Sequence, residues 1–252
     1  MISLKTPEQL RLMREAGRLT AEALLYAEKV LCEGMTTFEL DQHIRHFIER
    51  HGGKPTFLGY NGFPGSACIS LNNEVIHGIP SRSRVICEGD LVKVDVGVTY
   101  RGYVGDSART FGVGTISQEA QRLIDTTRES FFRGMAVAVS GNRIGDVGHA
   151  IDAHVSAAGY TVVRQFVGHG VGSALHEEPE VPNYGTPGRG ARLYPGMTLA
   201  VEPMVNAGKP EVRVLSDGWT VVTQDGSLSA HYENTFVITD NGPMILTDAS
   251  AG

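Results

Sequence analysis

The sequence predicts an α/β fold of the α+β kind, built from two halves that a pseudo-twofold relates around a central antiparallel sheet. Three observations lead there: a long alternating strand that turns back on itself, capped helices on either side of it, and one constant offset that maps the first half of the chain onto the second.

The chain opens with Thr6-Pro7-Glu8-Gln9, a helix start in which Thr6 caps, Pro7 occupies the first turn and Gln9 reaches back. Leu12, Met13, Ala16, Thr20, Ala23, Leu24, Ala27 and Leu31 follow at helical spacing, and Gly34 is expected to end the unit. Thr36-Thr37-Phe38-Glu39 opens a second helix with Leu40, Ile44, Phe47 and Ile48 on one side, stopped by Gly52-Gly53. The segment GYNGFPGSACISLNNEVIHGIP, from Gly59 to Pro80, is rich in Gly, Pro and Asn and reads as loop and short strand.

Val92, Val94, Val96 and Val98 then alternate with Lys93, Asp95, Gly97 and Thr99, placing β-branched side chains on one face of a strand and a carboxylate on the other. Arg101-Gly102 supplies the residue of positive φ that a tight hairpin needs. A turn centred there sets Gly97 opposite Asp106 and Asp95 opposite Ala108, so the two aspartates share a face as diagonal neighbours, roughly 7–8 Å apart at the backbone. Two anions that close repel unless a proton or a cation lies between them. A solvated hairpin is the ordinary alternative, and the rest of the chain decides against it.

Beyond the hairpin the programme repeats. Ser117 caps a helix carrying Leu123, Ile124, Phe131, Met135 and Val139, ended by Gly141; Asp146 begins another with Val147, Ile151 and Val155, ended by Gly159. An offset of 107 positions sends Gly34 to Gly141, Glu39 to Asp146, Leu40 to Val147, Ile44 to Ile151, Ile48 to Val155, Gly52 to Gly159, Gly89 to Gly196 and Asp95 to Glu202. It aligns GDLVKVD with GMTLAVE and implies repeated halves of about 7–110 and 114–240 inside a single domain expected over 1–252. Such a duplication brings equivalent strands to the middle, with Asp95 facing Glu202.

Two more groups join them. His169 lies between glycines in FVGHGVG, which lets the backbone turn tightly, and Glu233 in HYENT begins a strand running on through Phe236, Val237 and Ile238. Four carboxylates and one imidazole make a mostly hard donor set, suited to Mn²⁺, Fe²⁺, Co²⁺ or Zn²⁺ as a pair of ions roughly 3.5–4 Å apart. Water between such ions ionises near neutral pH, so the expected reaction class is hydrolysis.

Composition excludes several alternatives. Lys plus Arg number 22 against 28 for Asp plus Glu, a net charge of −6 with no basic tract, so specific nucleic-acid binding is not expected. No apolar run reaches membrane-spanning length and the opening residues carry no signal-peptide core, which predicts a cytoplasmic protein without membrane contact. Cys32, Cys68 and Cys87 are too few and too scattered for a disulfide framework and are expected as reduced thiols. With 252 residues the chain can bury roughly 70–75% of its unfolded surface and needs no covalent staple.

The motifs VDVG at Asp95, GDSART at Asp106, GHGVG at His169, VEPM at Glu202 and HYENT at Glu233 stand in an order and spacing that resemble the type I methionine aminopeptidases, over essentially the whole chain. The resemblance implies a pita-bread fold in which Asp95, Asp106, His169, Glu202 and Glu233 bind two divalent ions (Co, Mn, Fe, Zn or Ni). Asp106 and Glu233 are implied to bridge the ions, Asp95 to chelate one, and His169 with Glu202 to complete the other, Glu202 also shuttling the proton. His77 in EVIHGIP and His176 in ALHEEP are implied to contact the substrate. Phe57, Tyr60, Phe63, Cys68, His77, Leu175, His176 and Trp219 are implied to hold the methionine side chain and its peptide.

The implied activity is removal of N-terminal methionine from nascent polypeptides, with a small second residue preferred. The implied protein is a bacterial or organellar monomer in transient ribosome contact. Position 175, here Leu, is commonly Phe in the family, and position 57, here Phe, is often smaller; methionine preference is expected to survive both.

Rival readings fail on residues. HEEPE at His176 is not H-E-x-x-H, no G-x-S-x-G elbow exists, and GHGVG lacks the spacing of a dinucleotide loop. A proline-specific peptidase of the same fold shares all five ligands but generally carries a further N-terminal domain. A binding-only relative loses ligands that this chain keeps.

Overall fold

The computed structural model describes residues 2–250, so residues 1, 251 and 252 of the expected 1–252 domain lie outside the described residues. α1 (Pro7–Val30) begins on the predicted box, the Gln9 N–H donating to the Thr6 hydroxyl and the Thr6 N–H to the Gln9 side chain. α2 (Thr37–Arg50) repeats the device with Thr36 and Glu39. Short strands β1 (Lys54–Pro55), β2 (Cys68–Leu71) and β3 (Glu74–Ile76) lead into the long hairpin of β4 (Leu91–Tyr100) and β5 (Tyr103–Gly112).

The second half opens with α3 (Gln118–Val137), capped by Ser117, and α4 (Ile144–Ala157). β6 (Thr161–Val162), β7 (Gly168–Gly170), β8 (Glu177–Val181), β9 (Thr198–Val201) and β10 (Met204–Asn206) follow. The chain closes with β11 (Val212–Val214), β12 (Val221–Thr223), β13 (Ser229–His231), β14 (Asn234–Thr239) and β15 (Gly242–Ile245).

Helix ends depart slightly from expectation. α1 and α3 stop at Val30 and Val137, ahead of Gly34 and Gly141, whose positive φ values of 84° and 97° serve the turns that follow. Asp146 does not begin α4. It occupies the third helical position and accepts the Arg143 N–H at 2.7 Å, the place Glu39 takes in α2. The two positions that the offset pairs thus each satisfy an orphan N–H at a helix start.

The hairpin register is the predicted one, Gly97 opposite Asp106 and Asp95 opposite Ala108. β4 also pairs with β1 and β2, while β9 sits inside the second large sheet, ordered β15-β14-β9-β7-β8. All strand pairings among the described residues are antiparallel.

The two large sheets each pack against their own helices. Val92, Val94, Val96 and Val98 form one core with Leu40, Ile44 and Ile48, and Val147, Ile151 and Val155 form another with Leu199, Val201 and Phe236. The offset thus joins residues that are fully buried in both halves. The seam between halves combines backbone and side-chain bonds: Glu233 N–H donates to Ala108 O at 3.0 Å, and Thr235 Oγ1 both accepts from Asp106 N–H and donates to Asp106 O.

α1 presses on β5 where neither carries a side chain. A Cβ on Gly105 would come within 2.6 Å of Gly17 Cα and of Thr20 Oγ1, which donates to Gly105 O. Gly105→Ala is expected to cost about 1–3 kcal/mol by overpacking, read as a lowered urea midpoint. An unchanged midpoint would mean that α1 has room to recede.

Candidate active site

Every ligand candidate hangs from a strand or a strand end. Asp95 on β4 lies between Cys68 of β2 and Ala108 of β5. Asp106 is on β5, Glu202 directly follows β9, and Glu233 directly precedes β14. His169 is the middle residue of β7, so its flanking glycines do not form the tight turn expected of them. They admit neighbouring backbone: a Cβ on Gly168 would meet Ala200 O at 2.3 Å, and one on Gly170 would meet Glu178 O at 2.3 Å.

His169 Nε2 is 3.6 Å from Asp106 Oδ2 and 3.6 Å from Glu202 Oε1. Ligand atoms of Asp106, His169 and Glu233 lie within 4.8 Å of one another. His169 Nδ1 is 2.9 Å from Gly170 O, and because a carbonyl only accepts, the proton belongs on Nδ1 and the Nε2 lone pair faces the carboxylates.

The carboxylates are strained electrostatically. Asp95 Oδ1, Asp106 Oδ1 and Glu233 Oε1 are buried without a hydrogen-bond partner among the described residues. Burial pushes Asp106 up to about 7, and burial first, with neighbouring carboxylates second, raises Asp95, Glu202 and Glu233 well above the ordinary range. Burial also lowers His169 to about 4, with His176 adding to the effect, so its ring is neutral and free to ligate. Orphaned carboxylate oxygens around a neutral imidazole lone pair fit divalent cations of the hard-to-borderline class.

The cleft holding this cluster, about 290 Å³, is also lined by Phe57, Tyr60, Phe63, Cys68, His77, Leu175, His176 and Trp219, so all the expected site residues are brought together. Phe63 meets Trp219 edge-on at 5.1 Å between centroids, and His77 stands edge-on to Trp219 and Phe166. His77 has φ 59°, unusual for a side chain other than glycine, and burial holds it at about 4 with His176 contributing. Tyr60 Oη is 2.7 Å from His176 Nδ1. Phe57 occupies space that Gly97 leaves: a Cβ there would meet its ring at 2.6 Å.

Sequence reasoning missed Asn61, Ile76, Phe166 and Val167, which line the same cleft. Ile76 directly precedes His77, and Phe166-Val167 directly precede the Gly-His-Gly run, so their adjacency to site residues was the available signal. It also missed Arg109, within GDSART, whose guanidinium donates to Ser107 Oγ, to the carbonyls of Ala108 and Glu233, and to Asn234 Oδ1. His231, which precedes Glu233 by two residues, places Nε2 3.8 Å from Glu202 Oε2.

Residues 11–240 match the sequence profile of Peptidase_M24, metallopeptidase family M24. The chain belongs to this family. Among curated relatives, the methionine aminopeptidase of Clostridium acetobutylicum is 54% identical over 98% of this chain and 99% of its own length, and that of Escherichia coli K12 is 46% identical over 98% and 94%. A crystal structure of methionine aminopeptidase from Thermotoga maritima superposes with a TM-score of 0.97 at 45% identity, over 98% of this chain and 100% of that one. A prolidase from Pyrococcus horikoshii shares the fold alone, with a TM-score of 0.77 at 22% identity over 64% of its chain. The M24 chain thus has the pita-bread fold and is a metallopeptidase, which implies a divalent-metal cofactor.

The pKa directions give the metal-free M24 protein a defined pH dependence. Below the ordinary histidine value of 6.5, the depressed rings of His77, His169 and His231 add stability as pH rises, against the carboxylates. Above 6.5 the raised carboxylates act together against Lys93 alone, whose ammonium burial lowers from 10.5 to about 7 and which therefore adds some stability as pH rises. Their folded values are raised, so stability present at low pH is lost as pH rises through about 7 and beyond. The melting temperature of chelator-stripped protein is expected to fall between about pH 6.5 and 8.5, and Mn²⁺ binding there to release protons, read by calorimetry in buffers of different ionisation heat. A metal-free melting temperature that rises across this range would contradict the described burial of the cluster.

Proposed function

We propose that this chain is a methionine aminopeptidase that removes the N-terminal methionine of nascent proteins and peptides whose second residue is small. One observation carries the reading: the five candidate ligands and an apolar slot walled by Phe57, Phe63, Cys68, Leu175 and Trp219 open into one cleft. The names of relatives 46–54% identical over nearly the whole chain support it. The two repeated halves act in this reading as one catalytic unit.

Asp106 and Glu233 would hold both of two ions, Asp95 one of them, and His169 with Glu202 the other. When bound, such ions supply Lewis acidity and lower the pKa of water at the site. Everything else falls to the protein. The slot takes the unbranched methionine side chain against aromatic and thiol walls, which fixes the scissile bond over the carboxylates. Glu202 accepts the proton of the attacking water and delivers it to the departing amine.

His77, kept neutral by burial, donates a hydrogen bond to the substrate without carrying charge. Tyr60 Oη donates to His176 Nδ1, leaving the Nε2–H of His176 for the peptide. The proposal places the enzyme as a monomer in the cytoplasm, in transient contact with ribosomes as chains emerge. No helix among the described residues is long and apolar enough to cross a membrane.

Chelator-stripped protein given Mn²⁺ or Co²⁺ is expected to release methionine from Met-Ala-Ser and nothing from Ala-Pro-Ala, and Leu-Ala-Ser is expected to react more slowly than its methionine counterpart. Release from the proline peptide would move the assignment to a proline-specific peptidase, and release from neither would leave a peptide-binding protein. Glu202→Gln is expected to lower kcat by about 10²–10⁴, with peptide affinity retained in equilibrium binding; full activity in that variant would remove Glu202 from proton transfer.

A further inference from the structure

We propose that His231 is a positioning residue for Glu202, its imidazole N–H holding one oxygen of that carboxylate so that the other stays directed at His169 and the ligand cluster. The inference rests on the reading of Glu202 as the ligand that also carries the proton.

His231 ends β13 at 1% exposure, and neither ring nitrogen has a hydrogen-bond partner among the described residues. Buried polar groups nearly always find a partner, so an imidazole with two orphan nitrogens points to a contact completed in the working enzyme. The candidate is in place. Glu202 Oε2 is 3.8 Å from His231 Nε2, while Glu202 Oε1 is 3.6 Å from His169 Nε2, which leaves the carboxylate suspended between two imidazoles. A separation of 3.8 Å exceeds a hydrogen bond. The terminal torsion of a glutamate is broad, so a small turn of the carboxylate closes it.

The backbone that carries the ring is pinned. The His231 N–H donates to Thr110 Oγ1 at 2.9 Å, and the same hydroxyl donates to His231 O at 2.8 Å. Two residues upstream, Ser229 O accepts from Lys93 Nζ at 3.1 Å, and that fully buried ammonium also donates to Asn72 O at 2.7 Å. Lys93 thereby ties β13 of the second half to β4 and to the β2–β3 turn of the first. An imidazole presents an N–H at Nε2 both in its Nε2-protonated neutral tautomer and in its charged form, so the donor that Glu202 needs is available.

A glutamine amide reaches about where Nε2 lies, whereas an asparagine amide matches Nδ1 and stops short of Glu202. His231→Asn and His231→Gln therefore separate the hydrogen bond from the volume of the ring. Relative to wild type, His231→Asn is expected to lower kcat on Met-Ala-Ser by about tenfold or more with KM within about threefold. In chelator-stripped protein it is expected to weaken one class of Mn²⁺ site by about tenfold in calorimetric titration, as loss of a partner that orients a ligand does.

His231→Gln is expected to recover both quantities to within about threefold of wild type, at a melting temperature no higher than that of His231→Asn. Asparagine matching wild type in both readouts, or glutamine as impaired as asparagine, would overturn the proposal. Wild-type protein that bound Mn²⁺ but released no methionine would instead count against the proposed function. The Mn²⁺ titrations of the two variants would then decide the role of His231 by themselves.

Discussion

Four carboxylates pressed into one cleft govern the design of this molecule. Two unit charges 4 Å apart interact by about 4 kcal/mol at an effective dielectric of 20, and the burial of Asp106 and Glu233 adds a desolvation cost to that repulsion. No flexible loop would hold such a group together against its own field. The chain spreads the acids over β4, β5 and the ends of β9 and β14, elements whose positions are already fixed by two valine- and isoleucine-rich cores. Stability made in the cores is thus spent in the cleft, and binding of cations returns it.

The seam between the halves is where this cost is met. Arg109 reaches from β5 to the carbonyl of Glu233 and the side chain of Asn234, and its face covers Tyr232 at 4.2 Å. Its charge lowers the pKa of Glu233, although burial and the other carboxylates outweigh it. Arg109 is therefore better described as a brace between the segments that carry Asp106 and Glu233 than as a neutralising counter-ion. Lys93 does the corresponding task on the other side with two backbone carbonyls and, among the described residues, no carboxylate within hydrogen-bonding distance. Among the described residues neither cation donates to a carboxylate, which leaves the acids of the cleft without a fixed counter-ion.

Much of this was legible before any coordinates. The register of the hairpin followed from the valine alternation and a single Arg-Gly turn, because a period of two leaves no latitude once one face is buried. The 107-residue offset paired Asp95 with Glu202, and the helical positions it pairs, Leu40 with Val147, Ile44 with Ile151 and Ile48 with Val155, are all fully buried. What stayed hidden were groups whose role depends on contacts between the halves. The reach of Arg109 to Glu233 spans 124 positions, and the approach of His231 to Glu202 depends on where β13 lies beside the other sheet. The glycines beside His169 misled for a related reason: they signal close approach of other backbones, which from a single strand looks the same as a turn.

The seam also sets an order in time. Ser107 donates to the carbonyl of Glu233 across 126 positions of chain, so Asp106 and Glu233 come together only when distant parts of the chain meet. Contacts of such sequence separation are made late, after the entropy of a long loop has been surrendered. A molecule being synthesised from its N-terminus displays Asp95 and Asp106 while half its length is still unmade, and it gains Glu233 only as the final strands leave the ribosome. A truncated copy that ends before Glu233 carries both aspartates of the hairpin in its sequence but lacks one acid of the Asp106, His169 and Glu233 cluster.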